Sequence, residues 1–115
     1  FRAKKLYSDE YVIGFYEEWE EKHFIVTSPK EFFKIDPATL SIHFPDMLDS
    51  QGNKIFASLQ KDGRGGDVCS VNDYIDSGLE GVAIYQNYGF RIDRKGKAMG
   101  ISLSSTDIKI TGIQQ

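Results

Sequence analysis

The sequence predicts a mainly β domain: a small barrel-like C-terminal half, with additional N-terminal strands sharing one core. Three observations carry this. Apolar residues alternate or fall in short clusters, and they rarely recur at helical spacing. Gly, Asp and Asn break the clusters at intervals. The segments so delimited are short, about five residues each, as a small barrel requires, and closure removes the edges that such strands would expose.

Phe1 to Leu6 reads as a short strand or edge segment, and SDE turns the chain. YVIGFYEEW is aromatic and β-branched, a strong strand. EEWEEK carries helical charge, but Trp19 also fits the end of a hairpin. HFIVT is the next strand, ended at Ser28-Pro29 because the residue before proline is restricted. EFFKI is a candidate third strand. In DPATL, Asp36 caps a short turn with Pro37 in its first position. SIHFPDML is ambiguous, DSQGNK is a turn by its Gly and Asn content, and KIFASL resumes an apolar segment.

The second half opens with KDGRGGDVCSV, Lys61 to Val71. Lys61 to Gly65 reads as a mobile inserted loop. Gly66, Asp67 and Val68 read as the start of a barrel strand, with Val68 dropping into the core. DVCSV alternates, and NDYIDSGLEG is a polar excursion with room for one helical turn. VAIYQ and GFRID form a hairpin through NYG. RKGKAMG is a loop, ISLS a strand, and STDIKITG a closing strand with Ile108, Ile110 and Ile113. The expected organisation is one domain over 1–115, divided into an N-terminal β region (1–62) and a barrel-like region (63–115).

A hydrophobic content of 40 % with 27 % charged residues places the chain among folded domains rather than disordered segments. The net charge of -3 argues against a broad phosphate-binding surface. The charge is unevenly spread: residues 1–62 hold 8 basic and 11 acidic side chains, and residues 63–115 hold 6 of each, so any anion site belongs in the second half. One cysteine cannot form an internal disulfide, so the fold does not need an oxidising compartment. No apolar run approaches the roughly 18–20 residues of a membrane-spanning helix. The start, FRAKKLYSDE, lacks the apolar core of a signal peptide and an initiator Met, so it reads as trimmed. The expected location is the cytoplasm, with no membrane partner.

The glycine-rich loop has the wrong order for a phosphate cradle. Gly63, Gly65 and Gly66 are followed by Asp67 and a strand, whereas a Walker or Rossmann loop leads into a helix. Cys69 lies in an alternating segment with no base nearby in sequence, so it reads as a core residue rather than a nucleophile. His23 and His43 stand 20 residues apart, and with one cysteine they give no zinc-ligand spacing. Glu17, Glu18, Glu20 and Glu21 read as a solvated hairpin end. Asp67, Asp73 and Asp76 are the acids a divalent ion would need, which leaves a metal-dependent hydrolase as a distant alternative. Tyr85, Tyr88 and Phe90 share a hairpin with Arg91, Arg94, Lys95 and Lys97. Arg64, Tyr88, Arg91, Arg94, Lys95 and Lys97 therefore form a candidate binding surface. Its aromatic and basic content suits protein contacts, or single-stranded nucleic acid in the alternative reading of a nucleic-acid-binding barrel. No catalytic residue, cofactor or metal ligand is expected.

Three stretches together resemble the YopX family of phage and prophage proteins. FRAKK followed by EYVIGFYEE is similar to the family's opening strands, through Phe1, Arg2, Lys4, Tyr11, Val12, Gly14 and Phe15. KIDPATLSIHFPDMLDSQGNKIF is similar to its I-x-P-E-T segment and the following G-L-x-D-x-x-G-K, through Ile35, Pro37, Thr39, Leu48, Asp49, Gly52 and Lys54. GDVC, GVAIYQNYGFRI, ISLS and DIKITGI resemble its later strands, with Gly66-Asp67-Val68 where an SH3-like barrel begins. ASLQKDGRG and a longer SVNDYIDSGLE depart from the family pattern, and its Y-E-N-P tail has no counterpart. The resemblance implies a β-rich, barrel-like fold, a bacterial host and a homo-oligomer, and it supplies no catalytic residues. The family has no assigned activity; its phage origin, together with the lack of a catalytic constellation in this sequence, gives as the expected function a non-enzymatic accessory protein that contacts itself and another phage or host protein.

Overall fold

The computed structural model describes residues 1–28, 31–72, 79–86, 89–94 and 107–115. Its strands are β1 (Arg2–Lys4), β2 (Tyr11–Ile13), β3 (Phe15–Trp19), β4 (Lys22–Thr27), β5 (Glu31–Lys34), β6 (Ser41–Ile42), β7 (Ala57–Ser58), β8 (Asp67–Asn72), β9 (Leu79–Gln86), β10 (Gly89–Arg94) and β11 (Asp107–Ile113). One 3-10 helix, Pro37–Thr39, lies between β5 and β6. The fold is mainly β, as the alternating pattern predicts.

Eight strands make a curled, half-barrel sheet in the order β11-β8-β9-β7-β6-β1-β2, with β10 on the other edge of β9. Four of them come from residues 1–62 and four from 63–115, so strands of the first half extend the barrel-like sheet of the second. The join is a short parallel contact, Ser58 opposite Ile84, flanked by antiparallel pairs. A separate three-stranded sheet runs β3-β4-β5. Buried apolar side chains gather in two clusters. Met47, Ile55, Ala57, Cys69, Ala83, Ile92 and Ile108 fill the curl of the large sheet. Ala3, Ile25, Ile35 and Leu40 lie where β1 and the small sheet meet, with Tyr16 packed against them.

Local chemistry explains several joints. Asp36 caps the 3-10 helix by accepting from the Ala38 N–H at 3.0 Å, and Pro37 follows it, both as predicted. EEWEEK forms no helix. Trp19 pairs with Lys22, and the two residues between them, Glu20 and Glu21, have φ of 49° and 63°. That is the left-handed geometry that a two-residue hairpin demands, here without Gly or Asn. It is held by the five-rung β3–β4 ladder, and both glutamates are exposed, the solvated hairpin end the sequence predicts. The ambiguous SIHFPDML contributes only the two-residue strand β6. The DSQGN turn closes on the Asp49 carboxylate, which accepts from the N–H of Gln51 and Asn53 and from the Asn53 side chain at 2.7–3.0 Å. Burial pushes the Asp49 carboxyl up, but these bonds and one from the Ile110 backbone outweigh it and hold the group below its ordinary range.

Gln86 pairs with Gly89, which confirms the β9–β10 hairpin. The single helical turn expected in NDYIDSGLEG, the RKGKAMG loop and the ISLS strand lie outside the described residues.

Candidate interaction surface

The glycine-rich loop is packed, which corrects the expectation of a mobile insertion. Gly63, Gly65 and Gly66 are buried, while Lys61 and Asp62 before them and Arg64 among them are exposed. The Gly65 N–H donates to the Gln114 carbonyl at 2.9 Å, and the Gln114 N–H donates back to Gly66 at 2.9 Å. Ser58 Oγ donates to the Arg64 carbonyl at 2.7 Å. A Cβ on Gly66 would overlap the Ala83 carbonyl oxygen and stand 2.9 Å from the Ser58 nitrogen. Only glycine lets the loop lie this close to β7 and β9.

The strand that follows is anchored by charge. Arg2 Nη2 donates to Asp67 Oδ1 at 2.8 Å and to the Gly65 carbonyl at 2.9 Å. Asp67 Oδ2 accepts from the Phe56 N–H at 2.8 Å. The pair is almost fully buried, with side-chain exposures of 9 % and 2 %. The guanidinium stacks 4.6 Å from the Phe56 ring centre and 5.5 Å from that of Tyr11. This corrects the placement of Val68 in the core. Strand alternation instead turns Asp67 and Cys69 inward and leaves Val68 half-buried. An acid can hold the inward position because Arg2 supplies the opposite charge and the Phe56 N–H donates to its other oxygen.

The groups that could carry chemistry are engaged in the fold. Cys69 is fully buried. Burial, with the charges of Asp67 and Asp49 nearby, pushes its thiol from 9.0 up to about 12. We therefore expect iodoacetamide at about pH 8 to label Cys69 roughly a thousandfold more slowly in the folded chain than in denaturant. Mass spectrometry of timed samples checks this, and equal rates in both states would show a reactive thiol. His23 Nδ1 lies at hydrogen-bond distance from Tyr16 Oη. His43 Nδ1 contacts the Ile55 carbonyl at 3.0 Å, with its ring against Phe56. Among the described residues no three His, Cys, Asp or Glu side chains converge as a metal site. Of the acids considered for a divalent ion, Asp67 is taken by Arg2, and Asp73 and Asp76 lie outside the described residues.

The basic hairpin is only partly described. Tyr88, Lys95 and Lys97 lie outside the described residues, and Arg94 is placed only by its backbone, opposite Gly81. Arg91 is half-buried opposite Ile84, and Ile84 in turn faces Ser58. Arg64 is exposed and held to Ser58 through its carbonyl. Two strand spacings, ~10 Å, therefore separate the backbones of Arg91 and Ser58, the residue that holds the Arg64 carbonyl.

A different surface emerges from strand register. Phe15, Val26 and Phe32 form one row across the small sheet, and Glu17, Phe24 and Lys34 form the next. Residues directly opposite in an antiparallel ladder share a face. Tyr16, Ile25 and Phe33 occupy the inner face, with Ile25 wholly buried. The outer face therefore carries Phe15, Trp19 and Phe32, which are 76 %, 66 % and 58 % exposed. Phe24 packs edge-on against Phe32 at 6.3 Å between ring centres. The sequence contains a signal for this: in FY and FF, neighbouring aromatics fill both parities of a strand, so both faces are apolar.

No family model, curated protein or solved structure matches the chain.

Proposed function

We infer that the chain works by binding polypeptide, as a non-enzymatic accessory protein of phage or prophage origin that contacts itself and a phage or host protein. The observation that carries this reading is the outer face of β3-β4-β5. Large aromatic side chains kept in water on a hydrogen-bonded sheet favour burial against a partner, by about 25 cal/mol for each Å² of apolar surface covered. Aromatics are also the residues enriched in the centres of protein interfaces. The engagement of Cys69, His23, His43 and Asp67 inside the fold supports contact rather than catalysis.

A photo-crosslinking residue at position 19, in the cells that make the protein, tests this. Polypeptide adducts are expected from position 19 and not from Lys109, an exposed site on β11. Equal capture at both sites, or none at position 19, would overturn the reading.

A further inference from the structure

We propose that the outer face of β3-β4-β5 is a self-complementary interface, which joins two copies of this chain face to face about a two-fold axis along β4. The proposal rests on the reading of that face as a polypeptide-binding surface, and it names the occupant.

The argument comes from where the charges sit among the aromatics. In one row Glu17 lies on β3, Phe24 on β4 and Lys34 on β5. Glu17 and Lys34 are exposed, and neither has an ion-pair partner among the described residues. A two-fold axis along the central strand exchanges the two outer strands. It sets Glu17 of each copy against Lys34 of the other and stacks Phe24 on Phe24. The neighbouring row then brings Phe15 of each copy onto Phe32 of the other, on either side of Val26, which is already buried in the single chain. A two-fold axis across the strands would instead set glutamate on glutamate and lysine on lysine. The charge pattern thus selects one symmetry, and an isologous contact makes every favourable pair twice. Strand directions stay aligned, the usual geometry for two twisted sheets packed face to face. Lys22 meets its own copy at the end of the sheet, where a long side chain can carry its charge into solvent.

The face is small. Three strands of four to six residues span roughly 250 Å² of sheet plane. That puts the dimer at the weak end of specific association, so it forms at high protein concentration.

Sedimentation equilibrium of the purified chain from about 1 µM to about 1 mM, a range that spans weak association, tests the proposal. The expected result is a mass rising from one chain to two. Glu17→Lys and Lys34→Glu each convert two attractive pairs into two repulsive ones, and each is expected to weaken the dimer about tenfold or more at low salt. An equimolar mixture of these two variants restores both attractive pairs, so it is expected to dimerise like the original chain. Circular dichroism confirms that each variant is folded, and both sites are exposed. A single-chain mass up to about 1 mM overturns the proposal, as does association that the charge changes and their mixture leave unmoved. If the chain is monomeric but position 19 still crosslinks to a different polypeptide, the self-association is wrong and the binding face stands. If position 19 captures nothing and the chain is monomeric, both fall.

Discussion

Asp67→Ala is expected to cost about 3–5 kcal/mol of folding stability, the range for removing one member of a buried ion pair. The loss has two parts. The Arg2 guanidinium stays buried with only the Gly65 carbonyl as a hydrogen-bond partner, and the Phe56 N–H loses its acceptor. Domain stabilities are about 5–15 kcal/mol in total, so a chain of this size would be left close to unfolding. Urea denaturation followed by circular dichroism measures the change. Arg2→Met should also destabilise, because it leaves Asp67 buried without its counter-charge. The double variant Arg2→Met/Asp67→Ala should lose less than the sum of the singles by about 2 kcal/mol or more, because neither charge is then stranded. If the two single losses add to within about 0.5 kcal/mol, the pair is not coupled as described.

This pair also fixes the relation between the two ends of the fold. Arg2 lies on β1 and Asp67 opens β8, 65 residues later. Ser41 Oγ adds a bond to the Arg2 carbonyl at 3.2 Å, and the Phe56 and Asp67 backbones are joined at 2.8 Å. Four separate segments therefore converge on one arginine. The charges stand outside both apolar clusters, so the pair adds register where apolar packing is thin. An apolar substitute could fill the same space but would not specify which backbone amide lies where.

What was legible in the sequence was local. The Asp36-Pro37 cap, the DSQGN turn and the β9–β10 hairpin depend on residues within a few positions of one another, and all three formed as predicted. The mainly β class followed from alternation, which is also local. The Arg2–Asp67 pair was not legible. The two motifs were each recognisable, but nothing in either states that they touch. The inward side of β8 is not legible in the sequence for the same reason. Hydropathy favours Val68 over Asp67 as the buried residue, and only a distant arginine reverses that order. The aromatic outer face lay between these cases. Phe15 and Phe24 fall in segments that read as strands, Phe32 in a candidate strand, and Trp19 at the end of a hairpin. Placing three strands in register was needed to show that they share a face with Glu17 and Lys34 and not with Ile25.

Gly65→Ala should be among the most destabilising single-carbon additions in the chain. Gly65 has φ of +82°, where a residue with a Cβ costs about 1–2 kcal/mol. The new Cβ would also overlap the Thr39 carbonyl oxygen and stand 2.6 Å from its carbon and 2.8 Å from Thr39 Cα. These are backbone atoms, with no rotamer to relieve the clash, and overpacking of this kind adds about 1–3 kcal/mol or more. Thr39 cannot retreat freely, since its side chain accepts from the Lys4 N–H at 2.9 Å and donates to the Asp36 carbonyl at 2.7 Å. Moving Gly65 instead would disturb its bonds to Gln114 and Arg2. The expected cost is roughly 2–5 kcal/mol in urea denaturation. Gly52→Ala supplies the control. Its φ is +83°, nearly the same, but nothing lies within 4 Å of the added carbon. That variant should lose only the conformational part, about 1–2 kcal/mol. The difference between the two substitutions therefore measures the close approach alone. If Gly65→Ala is no worse than Gly52→Ala, the glycine-rich loop is not packed against Thr39, and the exposed, mobile insertion would be the better description of Lys61 to Gly65.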